Sequence, residues 1–158
     1  MEEKIEEIYK ICKNLEFYCN VNQLKKELYE AKKFHFLYED LEDSTKEALK
    51  NIFPSSDNDV VLVKGVTKIL SIWDYLEYLL IEGRSKEFKK LKKLFDELFK
   101  TYSKISNVKK QQVNLKYDDE FYTKTPSSPA VGNITQILLD GLVKDGKIIK
   151  KAVVKVEK

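Results

Sequence analysis

The sequence predicts an α+β protein with N-terminal helices, a helical hairpin that contributes to a four-helix bundle, and a small C-terminal all-β domain. Three observations support this fold class. Up to about Asn107, apolar residues recur every three or four positions, as they do along one face of a helix. Beyond that point they form short runs or alternate with polar residues, as they do in strands. Two of these runs flank Lys144-Asp145-Gly146, a turn sequence typical of a β-hairpin because Gly146 can take a positive φ.

Residues 1–56 are predicted to form a helical N-terminal segment, to which the sequence assigns no role. Apolar spacing indicates a helix at its start, and Asn22 can cap a second one. Ser44 and Glu47 have the spacing of a capping box for a further short helix. Pro54 cannot continue that helix, so the first domain boundary is expected there.

Residues 57–106 are predicted to form the helical hairpin. The first helix, 59–82, is expected to end at Gly83, and Ser85 can cap the second helix, 86–105. The link is so short that the two helices must run antiparallel. Each carries an apolar stripe wide enough to need further partners, which lie either in the same chain or in a second copy. The residues predicted to build the bundle or dimer are Leu70, Trp73, Leu76, Leu80, Leu91, Leu94, Phe95 and Leu98.

Residues 107–158 are predicted to form the β-domain. The segment 112–117 alternates like a strand, and 118–129 is polar and holds two prolines, which indicates a loop. Residues 134–143 and 147–156 are then expected to form one long hairpin.

Composition excludes several classes of function. Basic and acidic residues nearly balance, 29 against 26, and Arg84 is the sole arginine, so we expect no nucleic-acid binding. No apolar run reaches the ~18 residues of a membrane span, and the first residues lack the pattern of a signal peptide. We therefore expect a cytoplasmic protein with no membrane partner. Cys12 and Cys19 would lie about 10 Å apart on one helix, too far for a disulfide, and are expected to be free thiols.

The sequence also lacks the parts of a covalent catalyst. His35 is the only histidine, no serine lies in G-x-S-x-G, and the five glycines are isolated. Asp118-Asp119-Glu120 could bind a divalent cation weakly, although solvated turn residues are the better interpretation. We therefore expect no metal, no cofactor and no enzymatic activity, and a protein that acts by binding.

The C-terminal residues resemble a known family. Gly132-Asn133-Ile134 and the residues up to Leu142 resemble the stretch G-x-V-x-x-(I/V)-x-x-x-G-Y of the GrpE family, the nucleotide exchange factors of DnaK-type heat-shock chaperones. Without a gap, GLVKDGKIIKKAVVKV at 141–156 is similar to the closing G-Y-x-L-x-x-R-V-I-R-P-A-x-V-x-V of that family.

A second stretch with the same resemblance lies in the first helix of the hairpin. ILSIWDYLEYLL at 69–80 is similar to L-L-P-V-L-D-N-L-E-R-A-L and keeps Asp74, Leu76 and Glu77. The resemblance covers about residues 60–158. It implies a homodimeric co-chaperone whose β-domain holds open the ATPase domain of a DnaK-type chaperone, so that ADP leaves. The chaperone-binding residues implied by position are Lys147, Lys150, Val154, Val156, Gly141 and Leu142.

The chain also departs from the pattern of the family. Residues 1–56 lack its very long N-terminal helix, and Leu142 stands where the family has tyrosine. Lys147, Lys150 and Lys151 replace its R…R-P set, and lysine cannot make the bidentate contacts of arginine. Two alternatives therefore stay open. One is an adaptor or scaffold with this fold but no exchange activity, and the other is a lysine-rich helical protein that binds acidic partners or nucleic acid.

Overall fold

The computed structural model describes residues 5–6, 29, 32–52 and 66–158. Its helices are a helical stretch at 32–39, α1 (Asp43–Ile52), α2 (Ile69–Ile81) and α3 (Ser85–Ser106). Its strands are β1 (Val108–Lys110), β2 (Tyr122–Lys124), β3 (Asn133–Leu139), β4 (Leu142–Lys144), β5 (Lys147–Lys150) and β6 (Ala152–Glu157). The α+β class predicted from the sequence is confirmed. The expectations for Cys12, Cys19, Asn22 and Pro54, and for the start of the first hairpin helix at 59, lie outside the described residues.

The helical hairpin forms as predicted, with one correction at its link. α2 ends before Gly83, whose φ of 70° only glycine adopts easily. Ser85 was expected to cap the next helix, but it is the first helical residue and no side chain caps this end. Arg84 precedes the helix instead, and its guanidinium donates to Glu87 one turn later. Asn107, in the left-handed conformation at φ 56°, ends α3.

The described residues before α2 pack on this hairpin within the same chain. Phe34, Leu41 and Leu49 are buried in one cluster with the apolar stripes of α2 and α3. At least four helical stretches of the described residues thus share a core, and the partner that the stripes need is supplied partly from residues 32–52.

A polar cluster fixes α1 on the hairpin. The Glu87 carboxylate accepts hydrogen bonds from the hydroxyls of Ser44 at 2.8 Å and Thr45 at 3.0 Å, and it pairs with Arg84. Burial would raise the pKa of Glu87, but the hydrogen bonds from Ser44, Arg84 and Thr45 together outweigh burial and lower it. Glu87 of another helix thus adds a negative charge near the N-terminus of α1, whose own first turn contains Asp43.

The strands of the described region form two three-stranded sheets. The first has the order β1-β4-β5, with antiparallel neighbours. The second has the order β2-β6-β3, in which β2 runs parallel to β6 and β3 runs antiparallel to it. Val108, Leu139, Leu142 and Val153 belong to the helical core, so this core continues into the sheets. Tyr122, Ile134, Ala152, Val154 and Val156 form a second, smaller core.

The expected long hairpin exists, but it is divided between the two sheets. β4 and β5 form the hairpin around the predicted turn, whereas β3 and β6 pair in the other sheet. The division falls at Gly141, where Gln111 donates its backbone N–H to the carbonyl of Gly141 and accepts the N–H of Ala152 on its side chain. The Gln111 side chain, which lies outside the hairpin, thus accepts the N–H of Ala152 in place of a carbonyl of the facing strand. The ladder of backbone hydrogen bonds is interrupted at this point.

Two further expectations about the β-domain were wrong. Residues 112–117 are no strand and make only an isolated bridge, between Lys116 and Asn133. Their backbone groups form hydrogen bonds outside a strand ladder. The N–H of Asn114, for example, donates to the hydroxyl of Tyr122 at 2.9 Å. The expected loop 118–129 contains β2, which pairs with β6. β2 has only three residues, which are too few to show a clear alternation of apolar and polar side chains in the sequence.

Candidate interaction surface of the hairpin and its support on the helices

The tip of the β4–β5 hairpin projects Lys147 into solvent. Asp145 and Gly146 both have positive φ, 51° and 77°, the combination found in the two-residue turns that suit the twist of β-hairpins. Only Gly146 was expected to take such a φ. Asp145 also accepts a long hydrogen bond from the Asn107 side chain at 3.4 Å, which connects the tip with the end of α3. Lys147 is exposed at the first position of β5.

Lys150, at the other end of β5, points back to the helices. Its ammonium pairs with the carboxylate of Asp74 and lies 5.5 Å from the centroid of the Trp73 ring. The Lys150 side chain retains 22% of its exposure and that of Asp74 retains 54%. Lys150, unlike Lys147, is therefore largely engaged inside the chain.

A second contact joins Trp73 to the β-domain. Its Nε1 donates to the carbonyl oxygen of Asp140 at 2.8 Å, just before β4 begins, and the residue is 2% exposed. The carboxylate of Asp140 in turn accepts from Lys110 at the end of β1, at 2.6 Å. Lys110 also lies 4.0 Å from a carboxylate oxygen of Asp96 on α3. Both helices of the hairpin are thus connected with the first sheet through a lysine.

The other four residues implied as chaperone contacts lie in the interior. Leu142 and Val154 are fully buried, Val156 is 1% exposed, and Gly141 is buried. These positions shape the domain and present no side chain to a partner in the folded chain. Of the six, Lys147 alone is an exposed side chain at the hairpin tip, and its contact with a chaperone stays a prediction.

The predicted bundle positions are mostly covered by the chain itself. Leu70 and Leu80 on α2 are only half-buried. Nearby on the same helix, Tyr78 and Ile81 are 48% and 45% exposed. The fully or almost fully buried positions are Trp73, Leu76, Leu91, Leu94, Phe95 and Leu98. Part of the exposed apolar surface of the described residues therefore lies on α2.

Glu77, one turn after Asp74 on α2, has a carboxyl group whose pKa is raised. Partial burial raises its pKa, the neighbouring Asp74 carboxylate raises it further, and the Lys150 ammonium opposes both. The two carboxylates and the lysine form one small electrostatic group where the hairpin meets the helix.

Sequence reasoning missed the polar residues that hold the β-domain together. Gln111 bonds to Ala152 and, through Nε2, to the carbonyl of Phe121 at 3.0 Å. Ser128 is buried and its hydroxyl accepts the N–H of Val156 at 3.0 Å. A lone glutamine or serine carries no pattern, so only the neighbouring prolines, which mark a constrained loop, could have drawn attention to Ser128.

The described residues lack the grouping of side chains that a metal ion needs. No three His, Cys, Asp or Glu side chains among them come together as metal ligands would. Asp118 accepts the backbone N–H of Glu120 at 2.9 Å, the contact of a turn residue. Across 66–158 and the shorter described ranges, every helix is too short or too polar to cross a bilayer.

Comparison with models of protein families, with curated proteins and with solved structures found no match to the chain.

Proposed function

We propose that the chain is a GrpE-like co-chaperone that binds the ATPase domain of a DnaK-type chaperone and promotes ADP release. The observation that carries the proposal is a contact between the two stretches that separately resemble the family. Trp73 and Asp74, within the first stretch, contact Asp140 and Lys150 in the second, although they lie 67 and 76 residues apart. The contact supports the proposal because it places the two stretches beside each other in one core.

The arrangement suits a protein that works by binding rather than by chemistry. The hairpin presents an exposed lysine on a short, tight turn, and its other end is fixed to a rigid helical pair. A protein that prefers the open nucleotide cleft of the chaperone lowers the affinity of the chaperone for ADP. By linkage, ADP lowers the affinity of the chaperone for that protein by the same ratio. Such linkage requires no acid, base or nucleophile.

The proposal includes pairing of two copies, as the resemblance implies. Tyr78 and Ile81 give the end of α2 an exposed apolar surface, while Leu70 and Leu80 are partly buried against the core of the same chain. A second helical hairpin can cover such a surface by the same ridges-into-grooves packing as within one chain.

The direct test is release of fluorescently labelled ADP from the cognate DnaK-type chaperone, measured by stopped flow at rising concentrations of this protein. We expect the rate to rise and to saturate. A rate that stays unchanged at saturating protein, with binding still detected by calorimetry, would support the adaptor alternative and contradict exchange. Absence of both binding and acceleration would remove the chaperone as the partner.

A further inference from the structure

We infer that Lys150 is a positioning residue, which fixes the hairpin on α2 and thereby places Lys147, and that it does not itself contact the chaperone. The part of this inference that concerns exchange rests on the proposed function. The part that concerns the contact between hairpin and helix rests on the geometry alone.

The first step is the environment of the ammonium group. It lies 5.5 Å from the centroid of the Trp73 ring and pairs with Asp74, so an aromatic face and a carboxylate of α2 both attract it. Glu77 adds a second carboxylate close enough for its pKa to respond to Lys150. A cation held by the Trp73 ring and the Asp74 carboxylate of one helix has little freedom to reach a separate protein.

The second step is the position of this contact in the hairpin. β5 has four residues, with Lys147 at the turn and Lys150 at the opposite end. β5 is also the outer strand of its sheet and pairs only with β4 among the described strands. Its orientation relative to α2 is therefore determined by β4 on one side and by the Lys150 contact at its end.

The third step is that the same ring is held by the segment that joins β3 to β4. Trp73 Nε1 bonds to the carbonyl of Asp140, two residues before β4, at 2.8 Å. The indole thus connects α2 with the start of the hairpin by a hydrogen bond on its edge, and with the end of the hairpin by the lysine over its face. Loss of the Lys150 contact would leave this hydrogen bond and the β4–β5 pairing in place, so the fold would persist. Among the described residues, the tip would then be held to the helices only by the long bond of 3.4 Å from Asn107 to Asp145, and it could shift.

The experiment compares Lys150→Met, which keeps a long apolar stem but no charge, with Asp74→Lys and with the exchanged pair Lys150→Glu/Asp74→Lys. Lys100→Met is the matched control, because Lys100 also pairs with a carboxylate, Glu97, but within α3. Circular dichroism first verifies that each full-length variant is folded. Quenching of Trp73 fluorescence by acrylamide then reports the contact, since Trp73 is the only tryptophan. Labelled-ADP release at a fixed protein concentration reports the function.

We expect Lys150→Met and Asp74→Lys each to increase quenching and to slow the stimulated ADP release by about fivefold, near the lower end of coupling between linked sites. The exchanged pair re-forms the ion pair but places a carboxylate over the Trp73 ring, so it should restore both in part, and Lys100→Met should change neither. Restored quenching without restored release would mean that Lys150 contacts the chaperone directly, and the inference would be wrong. Unchanged quenching in both single variants would overturn it as well. If the unaltered protein fails to stimulate release, the proposed function fails, and quenching alone still decides the contact.

Discussion

Trp73 donates its indole N–H to the backbone carbonyl of Asp140 at 2.8 Å, across the junction between α2 and the first sheet. The bond joins residues 67 positions apart and adds a polar contact to the apolar core that the helices share with the first sheet. Because Trp73 is 2% exposed, its N–H is shielded from water and depends on this acceptor, while Asp140 is itself partly buried.

Replacement of Trp73 by Phe should lower the free energy of unfolding by about 2–4 kcal/mol. The change leaves the partly buried carbonyl of Asp140 without its donor and removes part of a fully packed side chain. Urea unfolding followed by circular dichroism measures the loss, since the variant has no tryptophan. Tyr78→Phe, which alters an exposed ring on the same helix, should change the free energy by less than about 0.5 kcal/mol. Equal effects of the two substitutions would contradict the assignment.

A methyl group at Gly141 should destabilise the protein more than one at Gly146. A Cβ at Gly141 would meet Ala152 N at 2.5 Å and Lys150 O at 2.8 Å, and these are backbone atoms that cannot move aside. We expect Gly141→Ala to cost about 3 kcal/mol or more. At Gly146 a Cβ meets nothing within 4 Å, and only the strain at φ 77° remains, about 1–2 kcal/mol. Thermal unfolding of both variants shows which one is less stable. A greater loss of stability for Gly146→Ala than for Gly141→Ala would contradict the close packing at Gly141.

The fold was predictable where a pattern repeats and unpredictable where single contacts decide. Helical spacing located α3 and the end of α2 to within a few residues, and Gly83 and Gly146 marked the link and the turn correctly. The division of the long hairpin between two sheets depends on Gln111, a residue of another segment, and no local pattern records such a contact.

The candidate site was predicted in part. The resemblance directed attention to the hairpin and its continuation into β6, and it left the buried Val154 and Val156 in the same group as the exposed Lys147. Two lysines three positions apart on one strand, Lys147 and Lys150, differ in environment because one is at the turn and the other lies over Trp73. Burial and partners of this kind arise from tertiary packing, which the sequence pattern does not contain.

Acid should destabilise the protein partly through Glu87. Its pKa is lowered in the folded state, so its contribution is present above the unfolded value, about 4.3, and is lost as the pH falls through the folded pKa. Glu87→Gln should cost about 1–2 kcal/mol at pH 7, because it weakens hydrogen bonds from Ser44, Thr45 and Arg84 to a charged acceptor. Urea unfolding at pH 7 and at about pH 3 should show that the difference between the variant and the unaltered protein narrows in acid. A constant difference would contradict the charged state of Glu87.

Glu77 should affect the pH dependence of stability in the direction opposite to Glu87. Its pKa is raised by burial and by Asp74, so its contribution to stability is present in acid and is lost as the pH rises through the folded pKa. Glu77→Gln should therefore leave stability at pH 7 unchanged or raise it by up to about 0.5 kcal/mol, as the side chain is partly exposed. Thermal unfolding at pH 7 and at about pH 4 checks the sign. A loss at pH 7 would mean that the Glu77 carboxylate is needed beside Lys150.

The exposed apolar surface at the end of α2 should mediate pairing of two copies. At micromolar concentration we expect sedimentation to give about twice the mass of one chain, 18.5 kDa. Ile81→Glu places a charge on the apolar surface and should shift the protein to the single-chain mass without unfolding it, because Ile81 is 45% exposed. Leu115→Glu is the matched control, as Leu115 is 81% exposed in the β-domain. Sedimentation of the unaltered protein as a single 18.5 kDa species would exclude the dimer.

Lys147 should contribute directly to binding of the chaperone. Its side chain is exposed at the hairpin tip, and Lys147→Ala removes its charge without disturbing a core. We expect the concentration that gives half-maximal ADP release to rise by about five- to tenfold, equivalent to roughly 1–1.4 kcal/mol, and the effect to weaken at high salt. The maximal rate should change little, because the rest of the hairpin and its contact with α2 remain. Lys100→Ala on α3 removes the same charge far along the chain and should have no effect. An unchanged half-maximal concentration for Lys147→Ala would show that the tip of the hairpin is not the binding surface.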